Sequence, residues 1–385
     1  MSTVLDLTNV PVLDLHCFEY NHTPLKPADL YGLFALGGII VGSIPEDQLL
    51  PHKARLAENT VTYRTFLKTW SRFLDSDATT ESAITARNNS DFGDYTRSLF
   101  KDVNLQTIIV DNATNTMEQT DEFGRSFPGN YRKTFRLETL VRDLLSTETT
   151  FDNLVAKFDS TIEDAVKKHG CTSFKTVIAY RTGLDIEIVT EDAAKVAFDK
   201  RNSDVRWFGP YAKGLRDFLL RRAMIKTIPW GTPVLIHTGL GDTDIVASKC
   251  NPANLTDLLK DPEVIPAKIV LIHGGFPYTL EAGWLANVLP NVYLELSCGV
   301  VPYMEPAIGV RRYSDLLQWV PLPKLIFGSD AGDYPEFHWY YAFYAKQKMA
   351  VALGKLVDED IFTQQEALEE AHNIFYNNAS TLLNL

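Results

Sequence analysis

The chain has 385 residues, of which 45% are hydrophobic and 22% charged, values typical of a folded globular protein and not of a disordered one. Its formal net charge of -12, without any basic run, argues against nucleic acid and anionic membrane surfaces as partners. The four cysteines are scattered, the amino terminus lacks a secretory pattern, and no apolar stretch approaches the ~20 residues that span a bilayer, so we expect a cytoplasmic protein.

Short runs of apolar and β-branched residues recur along the chain, and several stop abruptly at a polar residue. They predict strands at Val10–His16, Thr107–Asp111, Thr134–Glu138, Phe174–Arg181, Pro233–His237, Lys268–His273, Val292–Ser297 and Lys324–Asp330. Helix-compatible segments separate most of them, which predicts a parallel sheet, and eight repeats predict closure into a barrel. We therefore expect an α/β fold of the (β/α)8 TIM-barrel type, with residues 1–385 in one domain. A doubly wound open sheet is the main competitor, but no GxGxxG turn follows the first strand.

The stretch of about 45–105 is too long for a simple loop after the first strand. Its apolar residues at helical spacing predict an insertion of amphipathic helices. An insertion at this point would lie over the carboxyl ends of the strands, either as a lid or as a structural cap. Residues 359–385 predict another amphipathic helical segment, packed on the outside of the barrel.

Four predicted strands end at residues that bind metals or transfer protons. The first ends at His16, the fifth at His237, the sixth at His273 and the eighth at Asp330. Because the loops at the carboxyl ends of barrel strands surround one pocket, we expect these side chains to converge there. Histidine and aspartate ligands suit zinc or a similar divalent ion, and three protein ligands are enough for a catalytic ion. A bound ion would activate water, with Asp330 as ligand and general base; His273 is a further ligand or the acid that protonates the leaving group.

Other strand ends offer substrate contacts. Alternation along the fourth strand places Lys175 and Arg181 on one face and Tyr180 on the other. Arg181, nearest the mouth, is suited to bind a substrate carboxylate, and an ion pair with Glu138 is the alternative. Glu336, just past Asp330, either reaches the site or begins the last helix.

Two further pairs lie close to these strand ends. Asp242 and Asp244, after the fifth strand, cap a helix or line the pocket. Glu295 and Ser297 share a face of the seventh strand, so one face of that strand carries two polar groups.

These segments resemble a known family. The stretches VLIHTGLGDTDIVASKCNPANL, IVLIHGGFPYTLEAGWLANVLPNVYLELS and KLIFGSDAGDYPE resemble the amidohydrolase-related family, in particular the amidohydrolase-like domain of nodulin/glutamine-synthetase fusion proteins. The resemblance implies a distorted (β/α)8 barrel with a metal at the strand ends. It also implies hydrolysis of a C–N bond or non-oxidative decarboxylation. By position, His16, His237, His273 and Asp330 match the metal-binding and catalytic residues of that family.

The chain departs from the family pattern at the first strand. The family has His-x-His there, whereas this chain has His16-Cys17-Phe18. Three outcomes are open: Cys17 or His22 replaces the missing imidazole, the ion is held by His16, His237 and Asp330 with water, or the metal has been lost. We favour the second, because a catalytic ion needs only three protein ligands and an open position.

The leading functional hypothesis is a metal-dependent hydrolase acting on an amide-type C–N bond of a small molecule, with zinc or manganese. The first alternative is a decarboxylase of a small aromatic or unsaturated acid, since the same ion and Asp330 serve either reaction. The second is a non-catalytic binding barrel that has lost part of its metal site, as Phe18 suggests. The sequence leaves the substrate open, and a homo-oligomer is allowed.

Overall fold

The computed structural model describes residues 3–34, 56–201, 210–241, 245–297 and 306–385. Eight parallel strands form one sheet in the order of the sequence, which confirms the predicted α/β barrel. The strands are β1 Val12–Cys17, β2 Leu105–Asp111, β3 Asn130–Arg136, β4 Cys171–Thr176, β5 Val234–His237, β6 Ile269–Ile272, β7 Val292–Glu295 and β8 Leu325–Ile326. The barrel is nearly closed, because Leu15 N donates to Phe327 O at 3.2 Å across the gap between β1 and β8.

Helices surround the sheet, and several of them begin at a side-chain cap. They are α1 Pro27–Phe34, α2 Val61–Phe73, α3 Thr80–Asn89, α4 Phe92–Asp102, α5 Met117–Ser126, α6 Leu137–Thr147, α7 Phe151–Lys167, α8 Glu191–Lys200, α9 Pro210–Thr227, α10 Thr256–Leu259, α11 Thr279–Val288, α12 Pro306–Trp319, α13 Pro335–Asp358, α14 Gln364–His372 and α15 Asn378–Leu383. Thr116 and Thr363 complete capping boxes at α5 and α14, satisfying backbone N–H groups that have no intrahelical acceptor. Within the described ranges, every helix is too short or too polar to cross a membrane.

The barrel interior is filled by an apolar cluster that is separate from the main hydrophobic core. Its strand residues are Leu13, Leu15, Ile109, Leu235, Val270, Ile272 and Ile326. Helix α15 contributes Leu382 and Leu383 to the same cluster, and Lys268, just before β6, donates to the Leu382 carbonyl at 2.9 Å. The expectation that the whole carboxyl-terminal segment packs on the barrel exterior is therefore wrong for α15. Its apolar face covers the amino ends of the strands, where it shields the interior from water.

The described part of the predicted insertion packs against α13. Phe66 of α2 stacks on Phe337 with ring centroids 5.3 Å apart, and Trp339 Nε1 donates to Asp102 of α4 at 2.7 Å. Residues 45–55 lie outside the described ranges. These aromatic contacts favour the structural-cap interpretation, and a lid function stays a prediction.

Several predicted strands extend too far at their carboxyl ends. The fourth was expected to reach Arg181 but ends at Thr176, and a 3-10 turn follows at Ile178–Tyr180. The predicted alternation of faces from Lys175 to Arg181 is therefore wrong. The sixth and eighth also stop early, since His273 and Asp330 have φ angles of 71° and 55°, which extended backbone does not allow. Apolar composition continues past the point where the backbone turns, so it does not mark the strand end.

Candidate active site

His16 lies between two carboxylates at the end of β1. Its Nε2 is 3.2 Å from Asp111 Oδ2, and its Nδ1 is 2.9 Å from Asp330 Oδ1. The second approach lacks the alignment of a hydrogen bond, so His16 Nδ1 is buried without a hydrogen-bond partner. Burial, the largest influence, and Lys175 lower the pKa of His16, but the two carboxylates outweigh them and raise it above its ordinary value. The imidazole is therefore held readily in its charged form.

His237 ends a chain of hydrogen bonds that begins at Glu295. Ser297 Oγ donates to Glu295 Oε2 at 2.6 Å, and His273 Nδ1 is 2.9 Å from Ser297 Oγ. His273 Nε2 is 2.9 Å from His237 Nδ1, and His237 Nε2 is buried without a partner. With Glu295 as the acceptor, the Ser297 hydroxyl donates to Glu295 and accepts from His273 Nδ1–H. His273 Nε2 then accepts from His237 Nδ1–H, which leaves a bare lone pair on His237 Nε2. That is the form of histidine that binds a metal.

The electrostatic environment agrees with neutral imidazoles in this chain. Burial first, then Lys175 and His16, lower the pKa of His237 well below its ordinary value. Burial and the neighbouring His237 lower the pKa of His273 in the same way. Burial raises the pKa of Glu295, while its hydrogen bonds from Ser297 and His273 oppose that rise.

The four residues predicted at strand ends lie at the same end of the barrel, but as two pairs. His16 and Asp330 form one pair and His237 and His273 the other, with 6.5 Å between the His16 and His273 ring centroids. The ligand atoms of His16, His237 and Asp330 do not all lie within 4.8 Å of one another. The predicted ligands thus lie at one end of the barrel, but their ligand atoms are farther apart than the ligand atoms of a formed metal site.

The donor atoms nevertheless suit a divalent ion. His237 Nε2 is buried without a hydrogen-bond partner, His16 Nδ1 is 2.9 Å from Asp330 Oδ1 without the alignment of a hydrogen bond, and the Asp330 side chain is 17% exposed. Unpartnered buried nitrogens are costly unless a ligand satisfies them. His273 and Asp330 also carry left-handed backbone angles, a strained conformation that is concentrated at functional sites. Two imidazoles and a carboxylate are a three-residue set that leaves an open position for water.

Two cationic side chains share the mouth of the barrel with these donors. Arg136, at the end of β3, binds Asp111 with its Nη2 2.6 Å from Oδ2 and its Nε 3.2 Å from Oδ1. This pair and His16 hold the pKa of Asp111 well below its usual range, against the opposing effect of burial. Lys175 is 1% exposed, and burial lowers its pKa to about 8 while Asp330 opposes the shift. The site therefore holds more positive charge than the sequence pattern indicated.

Phe18 stands at the position of the second family histidine. Its ring is 5.2 Å from that of His16, and the Arg136 guanidinium lies 5.8 Å from its centroid. Neither proposed substitute is near His16 Nδ1 in the described contacts: Cys17 Sγ donates to the Ile109 carbonyl at 3.6 Å, and the exposed His22 contacts the Phe92 ring. An aromatic ring therefore stands where the family pattern has a second ligand.

The predicted substrate contacts have different surroundings. Tyr180 lies beside His237, with ring centroids 4.6 Å apart, and an added Cβ at Gly241 would meet Tyr180 Oη at 1.9 Å. Only glycine allows the backbone to pass this close to the two rings. Arg181 lines a separate cavity with Glu138. Glu336 is 0% exposed and binds Arg87 at 2.8 Å, so its role in substrate binding stays a prediction. Asp242 and Asp244 lie outside the described residues.

Three residues of this site, Asp111, Arg136 and Ser297, and one nearby cluster were not among the site residues predicted from the sequence. Asp111 and Arg136 end strands β2 and β3, so the strand-end argument that selected Asp330 applies to both. Ser297 was noted only as sharing a face with Glu295. In the part of the chain that the structure describes, the cluster of Asp14, Cys17 and His338 is the set whose ligand atoms do lie within 4.8 Å of one another. It lies between β1 and α13, and Asp14 already accepts from Ser329 N at 2.8 Å.

Comparison with known proteins confirms the family resemblance. The amidohydrolase family model matches residues 199–385, which include His237, His273 and Asp330. Protein fluG of Emericella nidulans is 29% identical over 348 residues, which cover 81% of this chain and 39% of that protein. The chain thus spans about two fifths of the length of this curated relative.

Solved structures share the fold over nearly the whole chain. A protein of Lactobacillus casei ATCC 334, provisionally described as a metal-dependent hydrolase, is 25% identical with a TM-score of 0.82, covering 99% of this chain and 98% of its own. A uronate isomerase of Bacillus halodurans C-125 is 14% identical with a TM-score of 0.70, covering 98% and 94%. A uronate isomerase of Thermotoga maritima is 15% identical with a TM-score of 0.69, covering 98% and 95%. The two isomerases show the fold alone.

Proposed function

Because residues 199–385 match the amidohydrolase family model, we propose that this chain is a metal-dependent hydrolase acting on an amide-type C–N bond of a small molecule. The observation that carries the proposal is the buried lone pair of His237 Nε2, oriented by His273, Ser297 and Glu295 and lacking any partner. A hydrogen-bonded chain that fixes one tautomer of a histidine is the usual support of a metal ligand.

His237, His16 and Asp330 would hold the ion, with zinc or manganese as the expected metal. When bound, the ion supplies an activated water and polarises the scissile carbonyl. Asp330 keeps 17% of its side chain exposed, so its second oxygen is available to take the proton of the attacking water. His273 has both ring nitrogens engaged, by Ser297 and His237. We therefore assign it chiefly to positioning His237, with proton donation to the leaving group as the alternative.

The charge of the mouth indicates an anionic substrate. Lys175 and Arg136 lie close enough to the imidazoles to lower the pKa of His237. The Lys175 ammonium beside the reacting centre, with Arg136 held against Asp111, favours a substrate that carries a carboxylate, and it would also stabilise the negative charge that develops on the oxygen of a tetrahedral intermediate. Tyr180, packed against His237, would lie on one side of the bound substrate.

A specific observation favours each alternative. The cations Lys175 and Arg136 would also attract the carboxylate of an acid that loses carbon dioxide, which is the decarboxylase alternative. Phe18, which takes the place of a ligand, and the wide spacing of His16, His237 and Asp330 favour the non-catalytic barrel. We rank the non-catalytic barrel last because the hydrogen-bonded chain from Glu295 to His237 orients a metal-binding nitrogen, and we place the hydrolase before the decarboxylase because of the amidohydrolase family match.

The proposal is tested by metal content and by a paired substrate screen. Purified protein is expected to hold close to one equivalent of zinc or manganese, and His237→Gln should lose it. His372→Gln, the same change in α14 away from the mouth, is the matched control and should keep the metal. A screen of simple amides against aromatic and unsaturated acids, scored for amine and for carbon dioxide, separates hydrolase from decarboxylase. Wild type that binds neither ion under any loading condition would contradict both enzymatic readings.

A further inference from the structure

Arg312 of α12 binds the backbone of residues in the hydrogen-bonded chain that leads to His237. It is 3% exposed. Its Nη1 donates to the Leu296 carbonyl at 3.0 Å, and its Nη2 donates to the carbonyls of His273 at 2.7 Å and of Ser297 at 3.1 Å. His273 and Ser297 are the two middle members of that chain. One guanidinium thus binds the backbone of both residues.

The bound carbonyls lie just past the paired parts of strands β6 and β7. The ladder between these strands ends at the pair of Leu271 and Leu294, before His273 and Leu296 are reached. His273 has a φ of 71°, so the backbone turns out of the sheet at that residue. Past the last pair, the spacing of the two strand ends depends on contacts other than the ladder hydrogen bonds. The guanidinium supplies such a contact because it binds both ends.

The shape of the guanidinium suits this position. It is planar and presents its N–H donors in a fixed fork, whereas a lysine ammonium is a point charge on a flexible stem. Gly274 makes room for it, because its φ is 53° and an added Cβ would lie 2.4 Å from Arg312 Nη2. Any larger residue at 274 would displace the guanidinium. The turn after β6 and the side chain from α12 are therefore fitted to each other.

We propose that Arg312 is a positioning residue of the candidate metal site, because its guanidinium holds the ends of β6 and β7 at the spacing that the chain requires. In that chain, His273 lies 2.9 Å from both Ser297 Oγ and His237 Nδ1. Without the guanidinium the two strand ends lose a shared donor, and both of these hydrogen bonds lengthen. His237 then loses the partner that fixes its tautomer. The inference rests on the proposed role of His237 as a metal ligand, and Arg312 acts through His273 and Ser297.

The test records nitrogen-15 NMR spectra of the histidine rings in the metal-free full chain, where the shifts of Nδ1 and Nε2 report the tautomer. His237→Gln and His273→Gln proteins assign the two ring signals. In wild type, both rings are expected to carry the proton on Nδ1. In Arg312→Gln, which lacks the fork, both rings should exchange between tautomers and give averaged shifts. Wild-type tautomers in a folded but less stable Arg312→Gln protein would show a role in stability alone and overturn the proposal.

Zinc affinity gives a second readout, measured by competition with a chelator. Arg312→Gln should weaken zinc binding about tenfold or more, as expected when a metal-binding histidine is no longer oriented. Arg311→Gln is the matched control, because it makes the same change at the next residue of α12. The Arg311 side chain is 84% exposed and lies 3.8 Å from Asp315, so its loss should leave zinc affinity and tautomers unchanged. Equal zinc affinity in the two variants would overturn the proposal.

Arg312→Lys separates the geometry of the fork from its charge. The lysine keeps the charge, but it should resemble Arg312→Gln in tautomers and in zinc affinity. Wild-type values in Arg312→Lys would overturn the proposal, since charge alone would then suffice. Should Arg312→Gln fail to fold, Arg312→Lys takes its place in both measurements, and failure of both to fold would assign Arg312 to the fold and overturn the positioning role.

The tautomer comparison also separates this inference from the proposed hydrolase activity, because it is made without metal. Wild type that binds no ion would contradict the hydrolase. Averaged tautomers in Arg312→Gln, but not in Arg311→Gln, would still establish that Arg312 positions His273 and His237.

Discussion

At the scale of single residues, the chain from Glu295 to His237 decides what the site can bind. Glu295 Oε1 also accepts from Ser297 N at 2.6 Å, and Oε2 accepts from His273 N at 3.0 Å. These two backbone N–H groups hold the Glu295 carboxylate in place independently of its side-chain partner Ser297. An added Cβ at Gly328 would lie 2.1 Å from Glu295 Oε1, so the neighbouring strand end leaves room for this carboxylate only because it is glycine. Glu295 thus determines the orientation and tautomer of His237 through three successive hydrogen bonds.

Ser297→Ala removes the middle of this chain and should weaken metal binding about 10- to 100-fold, the usual effect of losing a residue that orients a ligand. Without the hydroxyl, His273 is free to adopt the other tautomer, and His237 then loses its fixed lone pair. Competitive titration of zinc against a chelator measures the change. Ser314→Ala is the matched control, because its buried hydroxyl has no hydrogen-bond partner and lies in α12. Zinc affinity that is equal in the two variants would remove the proposed role of the chain.

His338 of α13 makes a separate prediction about pH. It is 1% exposed, neither ring nitrogen has a hydrogen-bond partner, and burial lowers its pKa to about 3. Between the ordinary value of 6.5 and this value, the unfolded chain binds a proton that the folded chain refuses. This residue therefore makes the protein less stable as the pH falls below 6.5, by up to about 1.4 kcal/mol per pH unit. Asp14, whose pKa burial raises to about 7, acts in the opposite direction.

His338→Phe should accordingly gain stability relative to wild type as the pH is lowered from about 7 to about 5.5, by about 1 kcal/mol. Urea unfolding of both proteins at both pH values gives the difference. Tyr20→Phe changes a neighbouring ring, 5.4 Å from His338, without removing a group that titrates in this range. This control keeps His338 and should therefore keep the pH dependence of wild type, and a His338→Phe curve parallel to wild type would contradict the assignment.

At the scale of elements, α13 connects the barrel to the inserted helices. Its residues Phe337 and Trp339 pack against α2 and bind α4, and Lys346 donates to the Val10 carbonyl at 2.6 Å and the Val103 carbonyl at 2.9 Å. Gly354 approaches the amino-terminal segment so closely that an added Cβ would lie 2.0 Å from the Thr3 carbonyl oxygen. One helix thus fixes the position of the insertion, the first strand and the chain start.

The buried ion pair between Arg87 of α3 and Glu336 of α13 is expected to be essential to that connection. Arg87→Met leaves Glu336, 0% exposed, without a counter-charge and should cost about 3–5 kcal/mol of unfolding free energy. Adding Glu336→Gln should recover part of the loss, because the uncompensated charge is then gone. Arg97→Met is the control: its pair with Asp94 is exposed, and its loss should cost about 0.5 kcal/mol or less. Denaturant unfolding of wild type, Arg87→Met, the double variant and Arg97→Met measures these free energies. Equal losses in Arg87→Met and Arg97→Met would contradict the role of the buried pair.

At the scale of the whole molecule, metal binding and folding are linked. The two close pairs of candidate ligands come from β1, β5, β6 and the segment after β8, so an ion would connect opposite sides of the barrel. The raised pKa of His16 means that the ion must displace its proton, so affinity should fall as the pH is lowered.

Zinc at about 100 times its dissociation constant should stabilise the metal-free protein by about 2.7 kcal/mol, since the unfolded chain has no assembled site. Thermal unfolding with increasing zinc should show a rising midpoint, reversed by a chelator. His237→Gln should show no rise. A midpoint that does not move in wild type, with folding otherwise cooperative, would contradict a site shared between these strands.

The sequence by itself determined the (β/α)8 fold, the resemblance to the amidohydrolase family and the residues that end four strands. Periodicity reports which segments are strands, and parallel strands must bring their carboxyl ends together, so His16, His237, His273 and Asp330 had to lie at one end of the barrel. These inferences depend on local pattern and on a general rule of the fold.

Only the tertiary structure decided what those residues face. Three features depend on contacts between residues far apart in sequence: the pairing of His16 with Asp111, the burial of Glu336 against Arg87 and the cavity that Arg181 lines. Strand ends are set by backbone angles such as the left-handed φ of Asp330, and apolar composition does not record them. The charge of the site follows from which side chains the packed helices and strands bring together, a property of the assembled molecule alone.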